Sequence, residues 1–240
     1  LLSEQDHKIV IATNPLFPKM AIDHRINWAK LGIELNNFTY ITNFEEFHFT
    51  KPRPEFIAEI LGKLGWQDEP VVMIGNEWDM DIVPAEILGI PTYFIGQPPE
   101  ETEISLNPLS SSGTMENLLD WINHLHFEKH ELELSDSKSA LLAILRATAA
   151  NMDSYLRMQI PKSQYSKRPH SDEWSLIEII AHLADVDEEV NIPRMKTISN
   201  EDSAFIEAAL TDQWADERSY IIRNASSELT RFISNRISLI

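Results

Sequence analysis

Three short runs rich in β-branched residues set the strongest limit on what this chain can fold into: residues 8–13 (KIVIAT), 70–75 (PVVMIG) and 91–96 (PTYFIG). Each is bounded by Pro, Gly or Asn, and none alternates apolar with polar residues. Such runs read as strands buried on both faces, as in a parallel sheet. The segments between them carry helical periodicity. Residues 20–31 place Ile22, Ile26 and Ala29 on one face, and residues 54–64 place Phe56, Ile57, Ile60 and Leu64 on one face. Pro54 suits a first helical turn. Shorter helices are predicted over 82–88 and 114–124. Strand–helix alternation at this spacing predicts an α/β domain built from βαβ units around a Rossmann-like parallel sheet.

Beyond about residue 135 the strand signals stop. Residues 137–158 form one predicted amphipathic helix with Leu141, Leu142, Leu145, Ala149, Met152 and Leu156 in phase. Residues 174–198 form a second, which Pro193 should kink, and 226–240 a third. Long helices with short links predict an all-α bundle, so the fold class expected is α/β followed by all-α. The domain boundary is placed at 130–136, separating residues 1–131 from 136–240. The chain starts without methionine and ends inside an apolar-periodic stretch, so both ends are expected to be cut.

There is no cysteine among the 240 residues, which excludes disulfides, thiolate metal sites and a cysteine nucleophile. The net charge is −18, concentrated in the first half, which argues against nonspecific nucleic-acid binding. No apolar run approaches a membrane span, and residues 1–8 carry no signal peptide. A cytoplasmic protein without a membrane or nucleic-acid partner is expected.

Loops leaving the carboxyl ends of parallel strands are where such sheets bind ligands. Three loops here carry chemistry. The first run ends in Thr13-Asn14. Lys51 stands directly before the helix at 54–64. Gly75-Asn76-Glu77-Trp78-Asp79-Met80-Asp81 is an acidic loop after the second run. A hydroxyl and a lysine can hold phosphoryl oxygens, and carboxylates can hold Mg²⁺. His7, His24 and His48 match no motif and are expected at the surface.

In order and spacing these segments resemble motifs II, III and IV of the haloacid dehalogenase (HAD) superfamily of hydrolases, over residues 7–125. Thr13 matches the motif II hydroxyl and Lys51 the motif III lysine. Gly75 to Asp81 matches motif IV, with Asn76 where the family has its first acid. The Asp-x-Asp nucleophile motif of the first strand has no counterpart here, nor has a cap domain. The resemblance implies a Mg²⁺-dependent phosphatase acting on a small phosphorylated substrate through an aspartyl-phosphate. Thr13 and Lys51 would be catalytic, Thr13, Asn14 and Lys51 would bind substrate, and Asn76 and Asp81 would hold Mg²⁺. Residues 1–240 alone should be inactive. The Asn76 amide leaves a second possibility, a non-catalytic module that binds a phosphorylated ligand.

Residues 171–185, followed by Arg194, Trp214-Ala215, Tyr220 and Phe232, resemble the DinB-like family of four-helix bundles, many of which bind a divalent metal through three histidines. His182 matches the first of these. No histidine follows it in this sequence. The resemblance implies a bundle lacking its last helix, with Zn²⁺ or Ni²⁺ as its metal and metal-dependent chemistry in the bundle as a further alternative. Three amphipathic helices would leave an apolar groove, through which a homodimer is expected.

Overall fold

The computed structural model describes residues 7–127 and 133–240, apart from residues 31, 33, 67 and 68 and the side chain of Gln159. The predicted positions 1–6, Leu31 and 130–132 lie outside the described residues. The described chain mixes parallel strands with helices and divides into two compact units, Leu1–Ala150 and Asn151–Ile240. No described helix is long and apolar enough to cross a membrane.

In the first unit the order is β1 (Val10–Ile11), α1 (Lys19–Trp28), β2 (Tyr40–Ile41), α2 (Pro54–Lys63), β3 (Met73–Gly75), α3 (Val83–Ile87), β4 (Thr92–Ile95), β5 (Ser111–Gly113) and α4 (Met115–His124). The strands form two separate parallel sheets, β1-β2 and β3-β4-β5. Each predicted strand appears inside its predicted run but is shorter than the run. Two further parallel strands, β2 and β5, are not predicted, because their sequences are too short to stand out.

Helix α2 is the centre of this unit. Pro54 opens it, where a missing N–H costs nothing. Its residues Phe56, Ile57, Ala58, Ile60 and Leu61 are buried with Ala85, Leu88 and Ile90. The same cluster takes in Ala140, Ala143 and Ala147 of α5 (Lys138–Ser154). The division between units falls within α5. The periodicity at 137–158 predicts Leu141 on the inward face, but Leu141 is 50% exposed and the alanines face in. Small side chains fill this part of the cluster, where a leucine would need more room than the packed core leaves. The helix continues past Ser154 as a π-turn, Tyr155–Gln159, so the helical stretch ends close to the predicted 158.

The second unit contains α6 (Leu176–Val186), α7 (Ile192–Asn200), α8 (Trp214–Glu217) and α9 (Ala225–Leu239). At the start of α6 the Glu178 carboxylate accepts the Ser175 N–H at 2.8 Å, half of a capping box. At the start of α9 the Asn224 side chain accepts the Ser227 N–H at 3.0 Å. The kink predicted at Pro193 takes the form of a π-turn, Asp187–Asn191, joining α6 to α7. Proline cannot donate to the carbonyl four residues back, and the wider turn relieves the clash of its ring.

Buried carboxylates recur in both units. Asp185 on α6 is 1% exposed and accepts from Tyr220 Oη at 2.7 Å, Arg218 Nη1 at 2.6 Å, Arg223 Nη1 at 3.3 Å and Arg231. Burial pushes its pKa up, but Tyr220, Arg218 and Arg231 outweigh burial and hold it at about 2. Glu178 is held at about 2 by Arg168, against the effect of burial. In the first unit burial raises Glu55, but Arg53 and Arg146, at 2.8 and 2.6 Å, bring it down to about 2. Asp187 is paired with Arg236 at 2.8 Å, both buried.

A carboxyl whose folded pKa is depressed contributes stability that is complete above its unfolded pKa and lost as pH falls through the folded value. Stability is therefore expected to drop as pH falls from about 5 towards 2, by roughly 2–3 kcal/mol per carboxyl. Asp185→Asn should cost about 3 kcal/mol at pH 7, because it removes the buried charge shared by three guanidinium groups, leaving them only their outer partners Glu188, Glu189 and Glu228. It should also flatten the acid limb. Urea unfolding at pH 7 and pH 3 measures both effects, and an unchanged difference between the two pH values would refute the assignment to Asp185.

Candidate active site

The carboxyl ends of β1 and β3 lie at one end of a cleft of about 1120 Å³ lined by residues of the first unit. Thr13 and Asn14 follow β1, and Gly75 to Asp81 follow β3. Lys51 stands at the entry to α2. All of them line this cleft except Trp78 and Asp79. The structure thus brings together the three segments singled out in the sequence.

Lys51 Nζ lies 2.5 Å from Asp81 Oδ1, with the two side chains 12% and 9% exposed. The ammonium also sits 5.9 Å from the centre of the Phe56 ring. The backbone N–H of Lys51 donates to Asn14 Oδ1 at 3.3 Å, which ties the lysine loop to the end of β1. The other oxygen of Asp81, Oδ2, accepts the backbone N–H groups of Asn76 and Glu77, each at 3.1 Å. A π-turn over Trp78–Ile82 turns Asp81 back onto the strand end and leaves Asp79 exposed.

Gly75 allows that return. A Cβ at this position would collide with the Cβ and carboxylate of Asp81. The glycine is required by space, not by backbone angle.

Thr13 is held through its main chain. Buried Thr42, at the end of β2, donates its hydroxyl to the Thr13 carbonyl at 2.5 Å and to Ile11 at 3.2 Å. Among the described residues the Thr13 hydroxyl itself has no hydrogen-bond partner. It is a donor available to an anion in the cleft.

Asn76 is exposed, and only its backbone N–H enters the network just described. Among the described residues no group of three or more His, Cys, Asp or Glu is placed to hold a metal ion. Asn76 and Asp81 do not by themselves fit a Mg²⁺ site, because one carboxylate with both oxygens engaged and one exposed amide fall short of the six oxygens such an ion takes.

In the second unit, His182 is set among aromatic rings, with Trp174 at 4.8 Å and Trp214 and Tyr220 at 6.4 Å between ring centres. Its Nδ1 is buried without a hydrogen-bond partner. Burial lowers its pKa, which favours the neutral imidazole. The second and third metal ligands implied for it are not found among the described residues.

Several residues escaped the sequence reading. Glu59, fully buried on α2, accepts the N–H groups of His48 and Phe49, at 3.0 and 3.2 Å, and lies 2.8 Å from His48 Nδ1. His48 is therefore a surface residue with a structural partner, whereas His7 and His24 are simply exposed. Glu55 and Glu59 stand one turn apart within an otherwise apolar helix. Acids at that spacing on a buried face were the signal available.

Gly75→Ala should displace Asp81 and break its contact with Lys51. We expect a loss of about 1–3 kcal/mol, the usual cost of forcing an extra methyl into a packed site. Chemical unfolding measures it, and Gly65→Ala, where an added Cβ meets open space but the backbone angle is positive, is the strain-only comparison. A neutral Gly75→Ala would mean that Asp81 does not return to the strand end. The chain matches no protein-family model, no curated protein and no solved structure.

Proposed function

We propose that the first unit is a HAD-like hydrolase core that handles a phosphorylated small molecule, and that the second is a DinB-like helical bundle. The observation that carries the first part is the 2.5 Å contact between Lys51 Nζ and Asp81 Oδ1, made where the β1 and β3 ends meet in one cleft. A hydroxyl, an ammonium and a fixed carboxylate at the ends of parallel strands are the groups phosphoryl transfer requires.

In this reading Thr13 and Lys51 hold the phosphoryl oxygens, and Asn14 sets the lysine loop against β1. Asp81 fixes the Lys51 ammonium in position. The resemblance implies an aspartate nucleophile on the first strand, for which residues 1–240 show no counterpart. Its carboxylate oxygen forms a bond to phosphorus as the ester P–O bond breaks and the alcohol departs. Water then cleaves the aspartyl-phosphate and releases inorganic phosphate. Mg²⁺, which the resemblance implies, would need oxygen ligands beyond Asn76 and Asp81.

The second reading is a module that binds a phosphorylated ligand without turnover. Asn76, an uncharged amide where the superfamily has an acid, favours it. For the second unit, the ring of aromatic side chains around His182 supports a packing role more directly than a Zn²⁺ or Ni²⁺ site.

Titration of residues 1–240 with inorganic phosphate should show weak binding. Thr13→Val and Lys51→Met should each weaken it by roughly tenfold, the loss of one hydrogen bond to a charged group. Equal affinity in all three proteins would overturn the reading. In the same protein p-nitrophenyl phosphate should not be hydrolysed, because in this reading the nucleophile motif of the first strand has no counterpart among residues 1–240. Turnover abolished by Lys51→Met would place the nucleophile inside residues 1–240 instead.

A further inference from the structure

Lys51 stands in a loop that is clasped onto the helix it leads into. The chain leaves β2, passes through Phe47, His48 and Phe49 to Lys51, and turns into α2, whose second turn carries Glu59. That carboxylate reaches back to the loop. Its Oε2 accepts the backbone N–H groups of His48 and Phe49 at 3.0 and 3.2 Å, and its Oε1 lies 2.8 Å from His48 Nδ1. Glu59 is fully buried, while the His48 side chain keeps 28% of its surface in water, enough to exchange a proton with solvent. Further along, the Lys51 N–H is tied to Asn14 Oδ1 at 3.3 Å. The backbone that presents the Lys51 ammonium is thus fixed at two points, and at one of them a histidine ring meets a buried carboxylate.

The two backbone N–H groups close this clasp by themselves, and what the ring can add is charge. A neutral imidazole with its proton on Nδ1 donates an ordinary hydrogen bond to Oε1. An imidazolium donates a charge-assisted one, about twice as strong. It also sets a positive charge against a carboxylate withdrawn from water. Histidine changes between these forms within about pH 5–8. The other charged side chains of the loop and of α2 have their own contacts. Glu45 accepts the Lys19 N–H, Glu46 accepts from Tyr40, and Lys51 meets Asp81. Glu55 holds Arg53 and, from α5, Arg146. Lys63, one turn beyond Glu59, places its ammonium 5.5 Å from the centre of the Phe47 ring. Of these side-chain types only histidine ordinarily changes charge inside that window.

We infer that His48 and Glu59 are a proton-operated positioning pair, which clamps the Lys51 loop when the ring is charged and slackens it when the ring is neutral. The inference rests on the reading of Lys51 as a group that holds phosphoryl oxygens. Neither member of the pair touches the anion. Both act through the backbone two and three residues ahead of Lys51. The sign follows from the charges: the clamp is strongest where the ring is protonated, so a dianion is held more tightly at pH 5.5 than at pH 8. The linkage is reciprocal, and a bound anion favours the charged ring.

The test follows the backbone N–H signals of residues 1–240 by NMR from pH 5.5 to 8, with the His48 ring signals recorded alongside. Sulfate serves as the anion, because it keeps both charges over this range and phosphate does not. The Phe49 and Lys51 N–H signals should move with the same midpoint as the His48 ring. Sulfate affinity should fall by roughly fivefold or more across that midpoint, the lower end of the coupling usual between linked sites. Saturating sulfate should move the midpoint up. His48→Gln, at a partly exposed position, should keep the fold and flatten both responses. In Glu59→Gln the ring should still titrate, but the Lys51 N–H should no longer follow it. A pH response of sulfate affinity that persisted in Glu59→Gln would mean that the ring charge acts on the anion through space, which overturns the pair. A Lys51 N–H signal that ignores the ring in the unaltered protein overturns it without any variant. The reading of Lys51 is judged separately. Sulfate bound equally well by Lys51→Met, or not bound at all, would overturn that reading, while the N–H signals decide the pair by themselves.

Discussion

Lys51 Nζ and Asp81 Oδ1 are 2.5 Å apart, and around that contact the first unit is organised. The lysine precedes α2, the aspartate follows β3, and the lysine's own N–H reaches Asn14 after β1. Three segments far apart in sequence meet at one point. Both charges are largely withdrawn from water, so each would be costly without the other. The backbone N–H groups of Asn76 and Glu77 complete the shell of the carboxylate. Lys51 and Thr13, whose hydroxyl has no hydrogen-bond partner among the described residues, line the same cleft.

The same device appears elsewhere in the molecule. Glu59 takes the backbone N–H groups of His48 and Phe49, and so shapes the segment leading to Lys51. Glu86 accepts from Thr92 Oγ1 at 2.6 Å and from Asn107 N–H at 2.6 Å, pinning the connection between β4 and β5. In the second unit Asp185 gathers three arginines and Tyr220, which draws the α8 region and α9 onto α6. Burying an ion pair adds little net stability compared with packing hydrocarbon, but it penalises every arrangement in which one partner is missing. These contacts therefore specify which loop lies where more than they add to the total.

Much of this was readable in advance, and the reasons for the rest are physical. The strand runs, α2, α4 and the three site segments announce themselves through local composition. The strand lengths do not, because a residue becomes part of a ladder only when a partner edge is present. The runs at 8–13 and 70–75 extend beyond β1 and β3, each of which pairs with one neighbouring strand among the described residues. On α5 one position of the predicted stripe, Leu141, is exposed, while Ala149 and Leu156 of that stripe are buried and Ala140, Ala143 and Ala147 join the core. Periodicity marks an apolar face, but its centre depends on what packs against it.

By itself the sequence determined the order of the main helices and of three strands, their chemical kind, and which polar residues follow those strands. These follow from side-chain periodicity and from where glycine and proline interrupt it, both local properties. Only the tertiary structure decided that Lys51 and Asp81 share one contact, that Asn76 contributes its backbone while its side chain stays exposed, and that His182 is surrounded by aromatic rings. It also decided that the strands form two separate parallel sheets. Such outcomes depend on which distant residues compete for the same buried space and the same hydrogen bonds, and no window of sequence contains that competition.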